Sequence, residues 1–583
     1  MRSEDDLRSS VWLLRTRTRL PRLRKGPREP VGISQHGRTD AILTHNTTEP
    51  EPSDRAASRL GIVILAAALS APLAAVWTVP TFVTQDGPAH LYNAQILVQS
   101  TGTDSPFRNV FTARRVPLPN WAGHLTLMGL VAILPPREAD RLMTSLTLVA
   151  LVLGVVWLRR CVAGSNGMPG AVLLAVLLGM NVTWLLGFTS FLLGAALFPI
   201  TLAVWWRLRQ SERPWRRALA IASLMTLGYF CHLVSLGLTA IGLVVLEACT
   251  PGPRRFARAA STAVGLLPLG PLGLLYLQLM RSGGGGLSLE WKHLDSLFSP
   301  RAWGKQLSWV DPVSIARRDA LPFLDGMFSK GFALGTPVVW LAAAFLLLRG
   351  ATLFRNRERS RERRGWRVLS ALLLIGGTAA PDTLGPTHGE YLQQRIVLLG
   401  LVALVPILPF DVERSRWKRG AMAALTGAFV LQTAMVWDYA RTSERTAGSI
   451  ARAAKFTGTN QRVIMMLSAI PRRFRAEPLL HADGLLGMGT ANILWNNYET
   501  RYYYFPVRFR EGLDHPDTVE LEKIALSEEP DRAERWARLL ERYQGITDVV
   551  IVWGRDPALD AVTERWFLLT HEDGSVRVYR SRR

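Results

Sequence analysis

The sequence predicts an α-helical polytopic membrane protein with about eleven transmembrane helices and a C-terminal extracytoplasmic α/β domain. Three observations carry this. The 583 residues are 48% hydrophobic and 20% charged, against roughly 25% charge in ordinary soluble domains. The apolar residues are clumped into runs nearly free of charge, among them 61–77, 142–158, 171–186, 263–279 and 421–437; a bilayer core of about 30 Å needs about 17–25 such residues per helix. The Arg residues gather in short clusters between those runs, which is the signature of cytoplasmic loops.

The formal charge of +23 raises nucleic-acid binding, but no DNA- or RNA-binding motif accompanies it, and loop charges that set orientation account for it. Cys161, Cys231 and Cys249 lie in or beside apolar runs, so no disulfide framework is expected. Neither a C-x-x-C nor an H-E-x-x-H pattern occurs.

Residues 1–58 are polar, Arg-rich and Pro-containing, and read as a disordered cytoplasmic tail. The apolar run that follows is too long and too late for a cleaved signal peptide and forms span 1, about 60–79. With the N-terminus inside, a long outer loop covers 80–141. Spans 2 to 4 take about 142–158, 168–186 and 191–206, two tight spans fit 218–249 around an outer turn near His232, and span 7 takes about 261–279. Spans 8 to 11 take about 332–348, 368–380, 396–410 and 420–438. This arrangement places 22 Lys and Arg in short inner loops and 13 in far longer outer ones. The stretch 121–134 is short and bracketed by prolines, and reads as a re-entrant or surface helix. The multi-pass domain thus spans 59–440. The remainder, 441–583, alternates strand character (461–468, 548–553, 566–571, 575–579) with helical spacing (518–527, 533–544), which predicts a small mixed sheet with helices on it. The expected location is the cell (inner) membrane, with this domain outside.

Under that topology the polar residues gather at the outer face, where ionisable groups near lipid mark candidate sites. Asp86, His90 and Asn93 follow span 1. Gly87-Pro88 suits a helix start with Asp86 as N-cap, and positions 86, 90 and 93 then share a helix face, which sets a carboxylate, an imidazole and an amide together as a base with a polar shell. The plain alternative is a capping Asp on a surface helix. A short outer loop before span 10 holds Asp382, His388, Glu390 and Arg395, whose guanidinium fork at headgroup depth suits a phosphate or interfacial snorkelling. His232 sits in a tight turn between two apolar helices, as a phosphate donor or a structural histidine. His124 lies near the same face. In the tail, the aromatic run from Trp495 to Pro506 suits either an acceptor sugar's apolar face or the domain core.

The arrangement resembles the membrane-embedded glycosyltransferases of the C superfamily, which take sugars from polyprenyl phosphates and include protein mannosyltransferases and aminoarabinose transferases. Such enzymes place an acidic residue directly after span 1, typically as Asp-Glu-x-x-Tyr, where Asp86 stands here. The stretch from Trp121 to Arg141 with its Pro135-Pro136 break, and a tail carrying Arg542 to Val550 and closing on Val576–Tyr579, also look like family features. The resemblance implies a polyprenyl-phosphate-linked sugar donor, membrane lipids as surroundings, and a glycan, lipid or protein acceptor. Asp86 would act as base and Arg395 as the phosphate ligand, helped by His232 or His388; His90 and Asn93 would orient Asp86 or the sugar. A divalent metal is the one cofactor it raises. Gly87 stands where the family has a second acidic residue, which argues against a two-carboxylate metal site in this loop and for a single carboxylate acting directly. A lipid donor needs no nucleotide-binding fold, and no G-x-G-x-x-G occurs. The competing readings are a lipid or polysaccharide flippase, against which the absence of an internal repeat counts, and a non-catalytic envelope-assembly protein.

Overall fold

The computed structural model describes residues 52–583 apart from 101, 103, 104, 115, 253, 283–285, 287, 292–310, 318–335, 353–362, 386–389 and 411–415. The greater part of the expected N-terminal tail and of the outer loop 281–330 lies outside the described residues, as does His388.

The chain is mostly helical. In order it forms α1 (Pro52–Thr78), α2 (Gly87–Gln99), α3 (Phe107–Val110), α4 (Trp121–Val131), α5 (Pro136–Ala163), α6 (Met168–Gly179), α7 (Val182–Leu185), α8 (Thr189–Leu208), α9 (Pro214–Cys231), α10 (Leu233–Cys249), α11 (Arg255–Leu266) and α12 (Leu269–Ser282). Then come α13 (Thr336–Thr352), α14 (Arg364–Ala379), α15 (Leu392–Leu404), α16 (Arg416–Arg445) and α17 (Ala447–Ala453). Five segments among the described residues are long and apolar enough to cross a bilayer: Leu60–Thr78, Pro136–Ala163, Thr189–Leu208, Arg255–Ser282 and Arg416–Phe456. The protein is a polytopic membrane protein. Helix covers most of the described residues in each expected span.

Two boundaries differ from expectation, both at proline. The second apolar segment begins at Pro136 rather than near 142, because Pro136 in the first turn has no N–H to leave unsatisfied and Glu138 complements the helix dipole. The seventh breaks into α11 and α12 at Leu267-Pro268, where proline cannot continue the hydrogen-bond ladder.

Several arginines at the ends of the apolar helices hold neighbouring segments. Arg159 is buried and donates to the carbonyls of Pro406 (2.8 Å), Leu408 (3.0 Å) and Asn166 (2.9 Å). Arg258 pairs with Glu247 at 2.6 Å, and Arg217 donates to Ser261 at 2.7 Å. Arg217 and Arg258 also donate to the Leu208 and Thr250 carbonyls at helix ends, which lack intrahelical partners.

The C-terminal region forms a five-stranded sheet in the order β3-β2-β5-β7-β6, built from β2 (Arg462–Leu467), β3 (Ile493–Leu494), β5 (Val549–Trp553), β6 (Phe567–Asp573) and β7 (Val576–Ser581). β2 runs parallel to β3 and β5, and β7 antiparallel to β5 and β6. The central β5 is buried along its whole length, as an all-apolar strand covered on both faces must be. Helices α18 (Thr518–Leu526) and α19 (Arg532–Tyr543) fall where the periodicity puts them, and α20 (Pro557–Thr563) follows.

This sheet does not pack alone. Its apolar core takes in Tyr92, Ile96, Phe107 and Phe111 from the first loop. A second small sheet pairs β1 (Phe111–Ala113) of that loop with β4 (Val507–Phe509), antiparallel. The Tyr92 hydroxyl donates to the Asn492 carbonyl (2.8 Å) and accepts from the Leu494 N–H (3.1 Å), filling the hydrogen-bond vacancies at β3. Two glycines permit the approach: a Cβ at Gly484 would meet the Pro88 carbonyl oxygen at 2.3 Å, and one at Gly487 the Tyr92 ring at 2.3 Å.

Candidate active site

The segment between α1 and α2 is fixed at its backbone. The N–H groups of Gln85 and Asp86 donate to the carbonyls of Leu185 (2.9 Å) and Leu186 (3.1 Å) at the end of α7. Ser443 of α16 accepts from the Val83 N–H and donates to the Thr81 carbonyl, while the Tyr439 hydroxyl donates to the Val83 carbonyl. Asp86 then occupies the N-cap position of α2, but its side chain makes no capping bond. The expected capping role is therefore corrected: the carboxylate is free to turn elsewhere.

It turns into a cavity of about 760 Å³. Its walls come from the first loop (Gln85, Asp86, His90), the turn before α8 (Phe188, Phe191), His232, the segment entering α15 (Glu390, Tyr391, Arg395) and the C-terminal region (Arg475, Glu477, His481, Tyr498, Arg501, Tyr502, Tyr504, Phe505). Asp86 is buried, with Gln85 Nε2 at 3.4 Å and His481 Nε2 at 3.7 Å from Oδ1. Burial pushes the Asp86 carboxyl up to about 6, against the pull of His90 and Gln85. That is a carboxylate mostly ionised at neutral pH yet far more basic than a solvated one. Burial lowers His481 to about 3, with Arg501 acting in the same direction; its ring is neutral and stacks on Tyr498 at 4.1 Å, so the Asp86–His481 contact is not an ion pair.

Arg395, in the first turn of α15, is buried with its Cζ 4.5 Å from the Phe188 ring centroid and 5.2 Å from that of Phe191. Its Nη1 lies 2.9 Å from His232 Nε2. His232 joins α9 to α10, and its Nδ1 lies 3.2 Å from the Val234 nitrogen, at the N-cap of α10. A neutral imidazole carries one N–H. The ring therefore accepts from the Val234 N–H or from Arg395, and its one N–H joins the five of the guanidinium. The pair is rich in donors and short of acceptors, the condition an anionic oxygen relieves.

His90 and Asn93 were expected to orient Asp86 or the sugar; their side chains bond to the C-terminal region. His90 Nδ1 is 2.5 Å from Glu499 Oε1, and His124 Nε2 is 2.8 Å from Glu499 Oε2. Asn93 and Asn497 exchange two hydrogen bonds of 2.9 Å. Both first-loop residues therefore clasp the C-terminal segment 497–499. Burial would raise Glu499, but the charges of His124 and His90 outweigh it and hold the carboxyl down to about 2. Burial would lower His90, and Glu499 outweighs that in turn, raising it.

Glu390 lines the cavity. Asp382 does not; its backbone N–H donates to the Glu290 carbonyl and its carbonyl accepts from the Leu392 N–H, which shapes the turn into α15. Of the eight expected site residues, Asp86, His90, His232, Glu390 and Arg395 line the cavity, Asn93 and Asp382 do not, and His388 lies outside the described residues.

Gly87 also finds its reason. A Cβ there would meet Thr84 Oγ1 at 2.5 Å and Asp140 Oδ1 at 3.0 Å, so a side chain at position 87 would crowd Thr84 and the Asp140 carboxyl. The residues that sequence reading missed, Glu477, Arg475, His481 and Glu499, all belong to the C-terminal region. The Trp495–Pro506 aromatics divide: Trp495 is core, whereas Tyr498, Tyr502, Tyr504 and Phe505 line the cavity. Burial pushes the Tyr498 and Tyr504 hydroxyls up, so they are donors at neutral pH.

Fold and site together describe a polytopic membrane protein whose cavity is closed by a C-terminal α/β layer. No family model and no curated relative matches the chain. Among solved structures it is similar to ArnT from Cupriavidus metallidurans bound to undecaprenyl phosphate, at 11% identity over 90% of this chain and 98% of that one, TM-score 0.49. It is similar also to the arabinofuranosyltransferase AftD from Mycobacteria (16% identity, 90% of this chain, 41% of that one, TM-score 0.45). A third is the archaeal oligosaccharyltransferase AglB from Archaeoglobus fulgidus in complex with an inhibitory peptide and a dolichol-phosphate (11%, 90% and 74%, TM-score 0.39).

Proposed function

We propose that the protein is a glycosyltransferase that moves a sugar from a polyprenyl-phosphate donor to an envelope acceptor at the outer face of the cell membrane. The observation that carries this reading is that one cavity is lined both by a buried, basic carboxylate, Asp86, and by a donor-rich Arg395–His232 pair. Sugar transfer from a lipid phosphate needs those two functions. One group must take the acceptor's proton and another must hold the charge that develops on the departing phosphate.

In the proposed reaction Asp86 removes the proton from an acceptor hydroxyl or amine as that atom bonds to the anomeric carbon. The bond from the anomeric carbon to the phosphate oxygen breaks, and the electron pair leaves with the polyprenyl phosphate, against Arg395 and His232. A single displacement of this kind inverts the anomeric centre. The cavity aromatics offer flat apolar surfaces for sugar rings. The proposal includes the eleven-span arrangement, with the C-terminal α/β layer outside, because donor lipids present their phosphates at headgroup depth.

The test uses the purified full-length protein in lipid nanodiscs with undecaprenyl-phosphate-linked sugars. Release of undecaprenyl phosphate that depends on added envelope acceptor is expected. If the protein neither binds undecaprenyl phosphate nor releases it from any such donor, the reading fails.

A further inference from the structure

We propose that His90, His124 and Glu499 form a divalent-metal site of the zinc class, which ties the first loop to the C-terminal region beside the cavity. The inference is independent of sugar transfer and rests on the three side chains alone.

Each residue offers one ligand atom, and these atoms lie within 4.8 Å of one another. All three side chains are buried, Glu499 fully, and come from three separate parts of the fold: α2, α4 and the turn Tyr498–Arg501. Two imidazole nitrogens and one carboxylate oxygen are a zinc donor set in which three protein ligands leave a fourth position open. The two imidazole rings stand 5.2 Å apart at 77°, so they converge on the carboxylate rather than stack.

Charge gives the second reason. Glu499 is fully buried, and the side chains within hydrogen-bond reach of its two carboxylate oxygens are His90 and His124. With both rings neutral, the cluster carries one uncompensated negative charge, and burying such a charge is costly. Protonating a ring balances it, and a dication does so more strongly while bonding to all three groups. The ligand atoms, within 4.8 Å of one another, would shift by up to about 1.5 Å to reach zinc spacing. Zinc bonds of about 2.0–2.2 Å put neighbouring ligand atoms roughly 3.3 Å apart. His90 Nδ1 and Glu499 Oε1, now at 2.5 Å, would separate by under about 1 Å. His90 lines the cavity, so the ion has a route in.

The placement defines what the ion would do. His90 stands one helical turn after Asp86, and Glu499 adjoins Tyr498 on the cavity wall. Metal binding would fix that wall against α2 and α4. The role is positioning, and its first readout is metal content.

The experiment takes the full-length protein, stripped with chelator and titrated with Co²⁺ and then Zn²⁺. One equivalent of Co²⁺ per chain, with the visible absorption of a four-coordinate nitrogen–oxygen site and displacement by Zn²⁺, is expected, together with a higher Tm. Glu499→Gln should weaken binding by at least about 10-fold, as loss of a direct ligand requires. His124→Gln, which keeps a polar side chain of similar size, should do the same, so a folding defect in one variant leaves the other. Less than about a tenth of an equivalent bound by the unsubstituted protein, or unchanged Co²⁺ spectra in both variants, would overturn the site and leave a carboxylate held by protons between two imidazoles.

Discussion

Arg395 and His232 meet at 2.9 Å, donor nitrogen to ring nitrogen, with the guanidinium lying against Phe188 and Phe191. The two residues stand 163 positions apart in sequence, Arg395 in α15 and His232 between α9 and α10. A lysine in place of Arg395 keeps the charge but loses the planar fork and the stacking on two rings. Arg395→Lys should leave expression and Tm near the parent and weaken undecaprenyl-phosphate binding by roughly 10-fold or more, the scale of one charge-assisted hydrogen bond. Binding by the purified variant at parental affinity would make Arg395 an interface anchor.

The orientation of the site carries its own prediction. Reporter fusions at Glu358 and Lys418 are expected to read cytoplasmic, and fusions at Asp104, Ser288 and Arg583 external, because the Arg-rich loops are retained inside. A cytoplasmic reading at Arg583 would put the cavity on the wrong side for a lipid donor displayed outside.

Gly87 is a packing constraint. An added side chain would run into Thr84 and Asp140. Gly87→Asp should therefore lower stability by about 1–3 kcal/mol, as overpacking does, and lower activity rather than raise it. Thermal unfolding of the variant beside Gly87→Ala checks this; an Asp variant as stable as the parent would show that the loop has room.

Much of this architecture was legible in the sequence, and its limits have a physical cause. Apolar runs and Arg clusters report on the bilayer, a uniform solvent, so the helices read directly. Asp86, His232 and Arg395 could be found because each sits in a short turn next to an apolar segment, where a polar group is costly. Glu499 could not. Its partner His90 is 409 positions away, and in sequence it is one more charge in an aromatic stretch. The same distance hid the true partners of His90 and Asn93. Local helix spacing set them on a face with Asp86, while tertiary packing gave them to Glu499 and Asn497. Glu477 and His481 were silent for the same reason: burial, which tunes both, is a property of the assembled cavity.

Glu477 supplies a pH signature. It is buried on the cavity wall, where burial pushes its carboxyl up to about 8, against Arg317 and Arg472. The folded protein keeps this proton while the unfolded chain releases it near the ordinary value of 4.5. Stability from this group is then fully present below about 4.5 and falls as pH rises towards about 8. Glu477→Gln has no proton to lose. Its Tm should drop less than the parent's between pH 6 and pH 9, and exceed it at pH 9. Parallel Tm profiles for the two proteins would remove Glu477 as a buried titrating group.

The central claim is that Asp86 takes the acceptor's proton, and one substitution tests it most directly. Asp86 makes no side-chain cap for α2, and its backbone is held by Leu186 whatever the side chain. Asp86→Asn therefore keeps the shape and the loop but cannot accept a proton. Sugar transfer from an undecaprenyl-phosphate donor by purified Asp86→Asn, with folding followed by thermal unfolding and donor binding measured in parallel, is the decisive measurement. Transfer should fall by roughly 10²-fold or more, with Tm and donor binding close to the parent. An Asn variant that turns over like the parent would contradict the assignment of Asp86 as the base.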